Sequence, residues 1–213
     1  MANDNNTKWA VTVGREFGSG GREIGKLLAQ KLGIAYYDKE LLLEAAKRSG
    51  VNENIFEAAD ERSPRFFGNP LSLNIGFAPS AFYASSPLSD DSIYKAQSEV
   101  MQQLVDQGPC VIVGRTADFV LRDYCRVVSI FVHAPIEVCV KRIMRRGDCP
   151  SEKQARELAI KKNKLRSSYY NFYTDKQWGA AASYDLCVDS SILGSEGTAE
   201  LIAQFVKQTI DSK

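Results

Sequence analysis

A short β-prone run, Trp9-Ala-Val-Thr-Val13, enters a glycine-rich stretch, Gly14-Arg-Glu-Phe-Gly-Ser-Gly-Gly-Arg22, after which the period turns helical. Ile24, Leu27, Leu28 and Leu32 share one helical face, and Gly33 stops the helix as a C′ glycine. Strand, glycine turn and helix in this order make the geometry that holds a phosphate. Loop amides converge on the anion, and the helix N-terminus adds positive potential. Gly18, Gly20 and Gly21 allow positive φ and close backbone approach. The plainer reading, a βα turn that binds nothing, places the same unit in the same kind of sheet.

The rest of the chain agrees with such a sheet. Ile34-Ala-Tyr-Tyr37 is a second short strand, and Asp38 suits the N-cap of a helix over Lys39 to Ser49. A helical period returns from Ser92 to Gln107. Cys110-Val-Ile-Val113 and Val127-Val-Ser-Ile-Phe-Val132 are continuous apolar runs of strand length. Strands apolar on both faces belong to a parallel sheet covered by helices. Pro135 suits N1 of a helix through Arg146, and Ser151-Glu-Lys-Gln154 fits a capping box opening a basic helix to about Tyr170. Tyr184-Asp-Leu-Cys-Val188 is the last strand, followed by a helix carrying Leu201, Phe205, Val206 and Ile210. Alternating strands and helices predict one doubly wound α/β domain. Residues 61–91, interrupted by Pro64, Gly68, Pro70, Pro79 and Pro87, hold no period and read as a functional loop or an insertion.

Composition narrows the chemistry. Across 213 residues, 27 Lys+Arg stand against 26 Asp+Glu, a formal net charge of +1. An extended nucleic-acid face needs a strongly basic surface, so a nucleic-acid polymer is not expected as a partner, while a small cationic pocket remains compatible. No stretch approaches the roughly 18 apolar residues of a membrane span. The five cysteines show no CxxC spacing and read as reduced, mostly buried thiols of a cytoplasmic protein. With His133 as the single histidine, chemistry falls to Arg, Lys, Asp and Glu.

The strict phosphate-loop pattern GxxxxGK[ST] is not met. Gly20 to Lys26 spells GxxxxGK, but Leu27 follows, and Lys26 would lie a turn inside the helix. If the cradle is Gly18 to Gly21, the cation in reach is Arg22, or Arg15 from the leading edge. Glu23 stands near the usual Mg²⁺-binding hydroxyl, and Ser19 is the only hydroxyl in the loop.

The order of motifs resembles cytidylate kinase, and more closely the cytidylate kinase-like family of bacterial P-loop proteins, over nearly the whole chain. The carriers are Val11-Thr-Val-Gly-Arg-Glu-Phe-Gly-Ser-Gly-Gly-Arg-Glu-Ile24, Tyr37-Asp38, Val113-Gly-Arg115, Phe131-Val-His-Ala134 with Arg142-Ile-Met-Arg-Arg146, Lys161 to Arg166, and Asp189-Ser-Ser191. The resemblance implies a three-layer P-loop NTPase-like fold of nucleoside monophosphate kinase type in a single domain, residues 1–213. Residues 61–91 would be an acceptor-site insertion or mobile loop, and 142–170 a lid. It implies an ATP-dependent phosphotransferase, with Mg²⁺, acting on CMP, dCMP or a related small phosphorylated acceptor. The family's Gly-Lys-Gly-Thr is replaced here by Gly20-Gly21-Arg22-Glu23. That departure keeps open a nucleotide-binding regulatory protein with little or no transfer activity.

By this resemblance Gly18, Ser19, Gly20, Gly21, Arg22 and Glu23 hold the donor phosphates, and Arg115 and Asp38 the acceptor. Arg22, Arg142, Arg146 and Arg166 supply charge to the transition state, which asks for positioning and cations rather than covalent help. Each residue also has a plainer reading. The Arg142–Arg146 group would complement a helix C-terminus, Lys162 and Arg166 would be surface charge, Asp38 an N-cap and Arg115 an interdomain salt bridge. Asp189 would hold water on Mg²⁺ or cap a turn. His133 is expected to be packed or hydrogen-bonded, and Tyr169–Tyr173 with Trp178 to form a packed lid base or to stack on a nucleobase.

Overall fold

The computed structural model describes residues 8–38 and 90–212. Residues 61–89, within the expected acceptor insertion, and the helix expected over 39–49 lie outside them. Five parallel strands form one sheet: β1 (Trp9–Arg15), β2 (Ala35–Tyr37), β3 (Cys110–Val113), β4 (Arg126–His133) and β5 (Leu186–Asp189). Their spatial order is β2-β3-β1-β4-β5. β1 lies at the centre, with Val11 in register with both Val111 and Val128. The chain leaves β1 towards β2 and β3 on one side and later builds β4 and β5 on the other. The crevice beyond the carboxyl end of β1 is therefore the topological switch point, where open α/β sheets bind ligands.

Helix α1 (Gly21–Leu32) follows β1, and α2 (Asp90–Asp106) precedes β3. A single turn, α3 (Ala117–Val120), follows β3 and was not foreseen. Then come α4 (Ile136–Arg145), α5 (Glu152–Tyr173) and, directly after β5, α6 (Ser190–Asp211).

The period-two alternation of β1 puts its residues on two buried faces. Ala10 joins Ile112, Met101, Leu104 and Leu121 on one face of the sheet. Val11 and Val13 join Ile24, Leu28, Ile130 and Ile202 on the other, beneath α1 and α6. The capping expectations at Gly33 and Ser151 hold. Gly33 sits at φ 66 after α1, and the Ser151 hydroxyl accepts the Gln154 amide. The expected face of the last helix holds at Val206, with Phe205 and Ile210 packed against the core, and fails at Leu201. Leu201 is exposed while Ala199, Ile202, Ala203 and Val206 are buried. The backbone leaves helical values at Gly194, ahead of this stretch.

A small separate cluster of Val140, Ile143, Ala155 and Ala159 joins α4 to α5, with Phe17 of the glycine loop packed against it. The far end of α5 is tied down where Tyr170 Oη donates to Asp118 Oδ2 at 2.7 Å, both groups buried. Lys176 Nζ lies 4.0 Å from the same oxygen. Burial pushes the Asp118 carboxyl above its usual range, against the opposing effects of the Tyr170 hydrogen bond and Lys176. Tyr170→Phe removes that hydrogen bond and leaves a buried carboxylate short of a donor, a loss of about 1–3 kcal/mol. A raised carboxyl pKa means that the folded state favours the protonated acid. The penalty should therefore be full above the folded-state pKa of Asp118 and shrink as pH falls through it. Urea midpoints of wild type and Y170F at pH 5 and pH 8 check this, with the larger gap expected at pH 8.

Candidate functional site

The glycine loop closes the carboxyl end of β1. The Glu16 amide still donates to the Val132 carbonyl at 3.0 Å, continuing the β1–β4 pairing, and the chain then turns through Gly18 (φ 86) and Gly20 (φ 84) into α1. Among the described residues the amides of Gly18, Gly20 and Gly21 meet no acceptor. These are the orphan donors of a helix start, collected in one loop.

Ser19 departs from expectation. It is fully buried, its hydroxyl donates to the Glu16 carbonyl at 3.0 Å, and its amide donates to the same carbonyl at 3.4 Å. Its side chain fastens the loop to itself. The tight Glu16–Ser19 turn points the hydroxyl inward. Glu16 Oε2 also accepts the Ala134 amide at 3.2 Å, fixing the loop to the end of β4.

Arg142 sits on α4 as expected, and its charge is already engaged. Nη1 donates to the Ser19 carbonyl at 2.7 Å and to Ser190 Oγ at 2.9 Å, and Nη2 donates to the Ser190 carbonyl at 3.1 Å. Ser190 Oγ in turn donates to the Ser19 carbonyl at 2.5 Å and lies 3.2 Å from that of His133. Arg142 and Ser190 thus seal the underside of the loop. Sequence reasoning passed over Ser190, although it stands in the Asp189-Ser-Ser191 motif. Asp189 itself caps α6, accepting the Ser191 amide at 2.8 Å, and the Ser191 side chain together with that amide holds its carboxyl below the usual range.

The other basic candidates gather on the opposite side. Arg146 pairs with Asp148 at 2.7 Å, and Arg145 is exposed. The guanidinium groups of Arg146 and Arg166 lie 5.3 and 5.4 Å from the centroid of Phe17, within cation–π range. The Phe17 amide donates to Asn163 of α5 at 2.7 Å. Phe17 therefore joins the loop to both helices of the expected lid, and its large apolar side chain inside a glycine loop was the overlooked signal. Arg166 also donates to the Arg15 carbonyl at 3.3 Å. Burial, with Arg146 as a like-charged neighbour, pulls the Arg166 guanidinium down to about 10. Lys162 is lowered by burial and by Arg166.

Arg22 opens α1, and its Nε donates to Asp38 Oδ2 at 2.7 Å. Asp38, at the end of β2, is buried and also accepts the Tyr36 hydroxyl at 3.1 Å. Arg115 follows β3 with φ 62, and Thr116 with φ 52, conformations that side-chain-bearing residues rarely adopt. Such strain collects at ligand sites. Glu23 is exposed on the first turn of α1, where Ser195 Oγ donates to its Oε2 at 3.0 Å. The aromatic residues at and beyond the end of α5 pack on rings of α2 and β4: Tyr173 stacks on Tyr94 at 4.3 Å, and Trp178 meets Phe131 edge-on at 5.1 Å. Cys110, Cys125 and Cys139 are buried, with thiols pushed up to about 12, 11 and 11 by burial, as core cysteines should be. No described helix is long and apolar enough to cross a membrane, and no described cluster of His, Cys, Asp and Glu could hold a metal ion unaided.

A parallel sheet flanked by helices, with a glycine loop at the switch point and arginines on α1, α4, α5 and just beyond β3, defines a P-loop kinase fold. A model of the cytidylate kinase-like family matches residues 10–192, and the chain belongs to that family. It is accordingly a nucleotide kinase-like phosphotransferase. The chain is 27% identical over 202 residues, 95% of its length and 96% of the other, to a cytidylate kinase of Methanosarcina barkeri. A solved structure of an uncharacterized protein from Eubacterium ventriosum is 27% identical, with a TM-score of 0.66 covering 97% of this chain and 100% of that one. The Mycobacterium tuberculosis APS kinase CysC, solved with AMPPNP and APS, shares the fold at 16% identity. Its TM-score is 0.51, covering 94% of this chain and 98% of that one.

Proposed function

We propose that the protein transfers the γ-phosphoryl group of ATP to a nucleoside monophosphate, with CMP and dCMP the first acceptors to test. The observation that carries this reading is the pairing of two anion sites across the switch point. Amides of Gly18, Gly20 and Gly21 open on one side, and Arg115 with its strained backbone stands on the other, at the end of the neighbouring strand. In this reading the loop from Gly18 to Glu23 holds the donor phosphates against the positive end of α1. Arg146 and Arg166, presented through Phe17, add charge around the moving phosphoryl group. Arg115 and Asp38 hold the acceptor. Arg22, paired with Asp38, couples the start of α1 to that wall. Arg142 acts on the loop and not on the phosphate.

Mg²⁺ fits as an ion brought in with the triphosphate. The donor set matches a site of one or two carboxylates completed by phosphate oxygens and water. Glu23, exposed on the first turn of α1, is the carboxylate placed to hold it. The ion would neutralise phosphate charge there.

A coupled ADP-release assay across CMP, dCMP, UMP, AMP and small phosphorylated metabolites tests the proposal, with turnover expected for a pyrimidine monophosphate. One specific observation favours a regulatory nucleotide-binding role instead: Gly21 and Glu23 stand where a transferring loop has Lys and Thr, and the Ser19 hydroxyl is turned inward. ATP binding by calorimetry without turnover on any acceptor would establish that second reading.

A further inference from the structure

The loop's missing lysine raises the question of which cation serves the donor phosphates. A Cβ placed at Gly21 would lie 2.5 Å from the Cβ of Arg15 and 3.0 Å from its Cγ. The stem of Arg15 therefore lies where any side chain at position 21 would begin. At the other end, a Cβ at Gly114 would lie 2.0 Å from Arg15 Nη1, 2.8 Å from Cζ and 3.0 Å from Nη2. The guanidinium thus fills the notch above the first residue beyond β3. Arg15 runs from the donor loop to the edge of the acceptor wall, and glycines stand at both places it crosses.

We propose that Arg15, reaching in from the end of β1, replaces the absent loop lysine as the cation that binds the terminal phosphates of the nucleoside triphosphate. The inference deepens the ATP-dependent reading above and rests on it. Three observations support it. First, the side chain occupies the space of the lysine's own stem, so the two residues exclude each other in this loop. Second, Arg15 makes no ion pair among the described residues, while its neighbours Arg166 and Arg115 carry the same charge. Asp38 acts on it only at longer range and is engaged by Arg22. Charge of one sign gathered in this way is completed by a polyanion. Third, burial and the two like-charged neighbours pull the Arg15 guanidinium down to about 9, where an anion would restore it. A guanidinium also suits the place better than an ammonium, because its fork can bond two phosphate oxygens at once.

The test is an exchange of positions, read by calorimetry with the non-hydrolysable β,γ-imido analogue of ATP in Mg²⁺, and with AMP as the ligand lacking terminal phosphates. Arg15→Ala is expected to lose about 10- to 100-fold in analogue affinity, the scale of one or two charged hydrogen bonds, and little for AMP. Gly21→Lys alone is expected to bind no better than Arg15→Ala, because its stem overlaps that of Arg15. The double variant R15A/G21K should recover most of the lost affinity. Arg15→Lys, which keeps the stem and the charge, gives a folded intermediate if the alanine variant melts at the assay temperature. Wild-type affinity in folded R15A, or no recovery in folded R15A/G21K, would overturn the inference while leaving the kinase reading intact. Failure of the wild-type protein itself to bind the analogue would overturn both.

Discussion

Gly18→Ala should be among the most damaging single substitutions in the described chain. A Cβ at Gly18 would lie 2.8 Å from both the Cβ and the carbonyl oxygen of Cys139 and 3.0 Å from its Cα. Two of these three atoms are backbone within α4, so relief requires moving the helix. α4 is held by the buried Val140 and Ile143 and by the Arg142 hydrogen bonds. Overpacking of this kind costs roughly 1–3 kcal/mol, and the backbone sits at φ 86, which adds about 1–2 kcal/mol for a residue with a Cβ. For a chain of this length, each kcal/mol lowers the melting temperature by about 2–4 °C. A drop of roughly 5–15 °C is therefore expected, together with loss of the shift that the proposed ATP binding should give the wild type. Gly147→Ala is the matched control. Gly147 has φ 79 but nothing within 4 Å of its added Cβ. It should show the conformational cost alone and keep the ATP shift. Equal destabilisation in the two variants would show that the contact with α4 does not matter.

The fold was legible because each strand run carries its own reason. Val11 and Val13 face one layer and Ala10 the other, which is how a short β-prone run sits in a sheet covered on both sides. Cys110–Val113 repeats that pattern and is buried throughout. The misses follow from causes outside a periodic pattern. Leu201 of α6 is exposed because the small Ala199 and Ala203, which give little apolar signal, share the buried face with Ile202 and Val206. The turn Ala117–Val120 is too short to show a period, and it follows two residues whose positive φ no propensity predicts.

The site was legible in its parts and much less in its connections. Motif order brought Gly18–Glu23, Asp38, Arg115, Arg142, Arg146 and Arg166 to attention, and parallel topology explains why strand ends gather them. Which partner each arginine takes depends on distances of a few ångströms between elements far apart in the chain. Arg142 meets Ser190 across 48 residues, and Phe17 meets Asn163 across 146. No local pattern encodes such pairs. Charge alone could not separate Arg142, held by three hydrogen bonds to Ser19 and Ser190, from Arg166, held by one longer bond to the Arg15 carbonyl and set beside Phe17.

That distinction yields the second large effect. Arg142→Ala removes three hydrogen bonds from a charged donor, to Ser19 and Ser190, and leaves the Ser19 carbonyl with Ser190 Oγ alone. Charged hydrogen bonds contribute about 1.5–3 kcal/mol each, and members of one network do not add. A loss of about 2–4 kcal/mol in the nucleotide-free protein is expected. A loop amide cradle that is no longer fixed should lower kcat/KM by on the order of 100-fold. Were Arg142 a cation for the transferring phosphoryl group, its removal would slow turnover and leave the free protein's melting temperature unchanged. Arg142→Lys separates the roles further. A lysine keeps the charge but not the planar fork that spans Ser19 and Ser190. Anchoring predicts that the lysine variant stays low in both melting temperature and rate, whereas charge stabilisation predicts recovery of the rate. Ser190→Ala supplies the remaining corner of a double-mutant cycle. Anchoring through one network requires that S190A add much less to R142A than it costs in the wild type. Strict additivity of the two, in melting temperature and in kcat/KM, would dissolve the network and return Arg142 to the list of direct phosphate ligands.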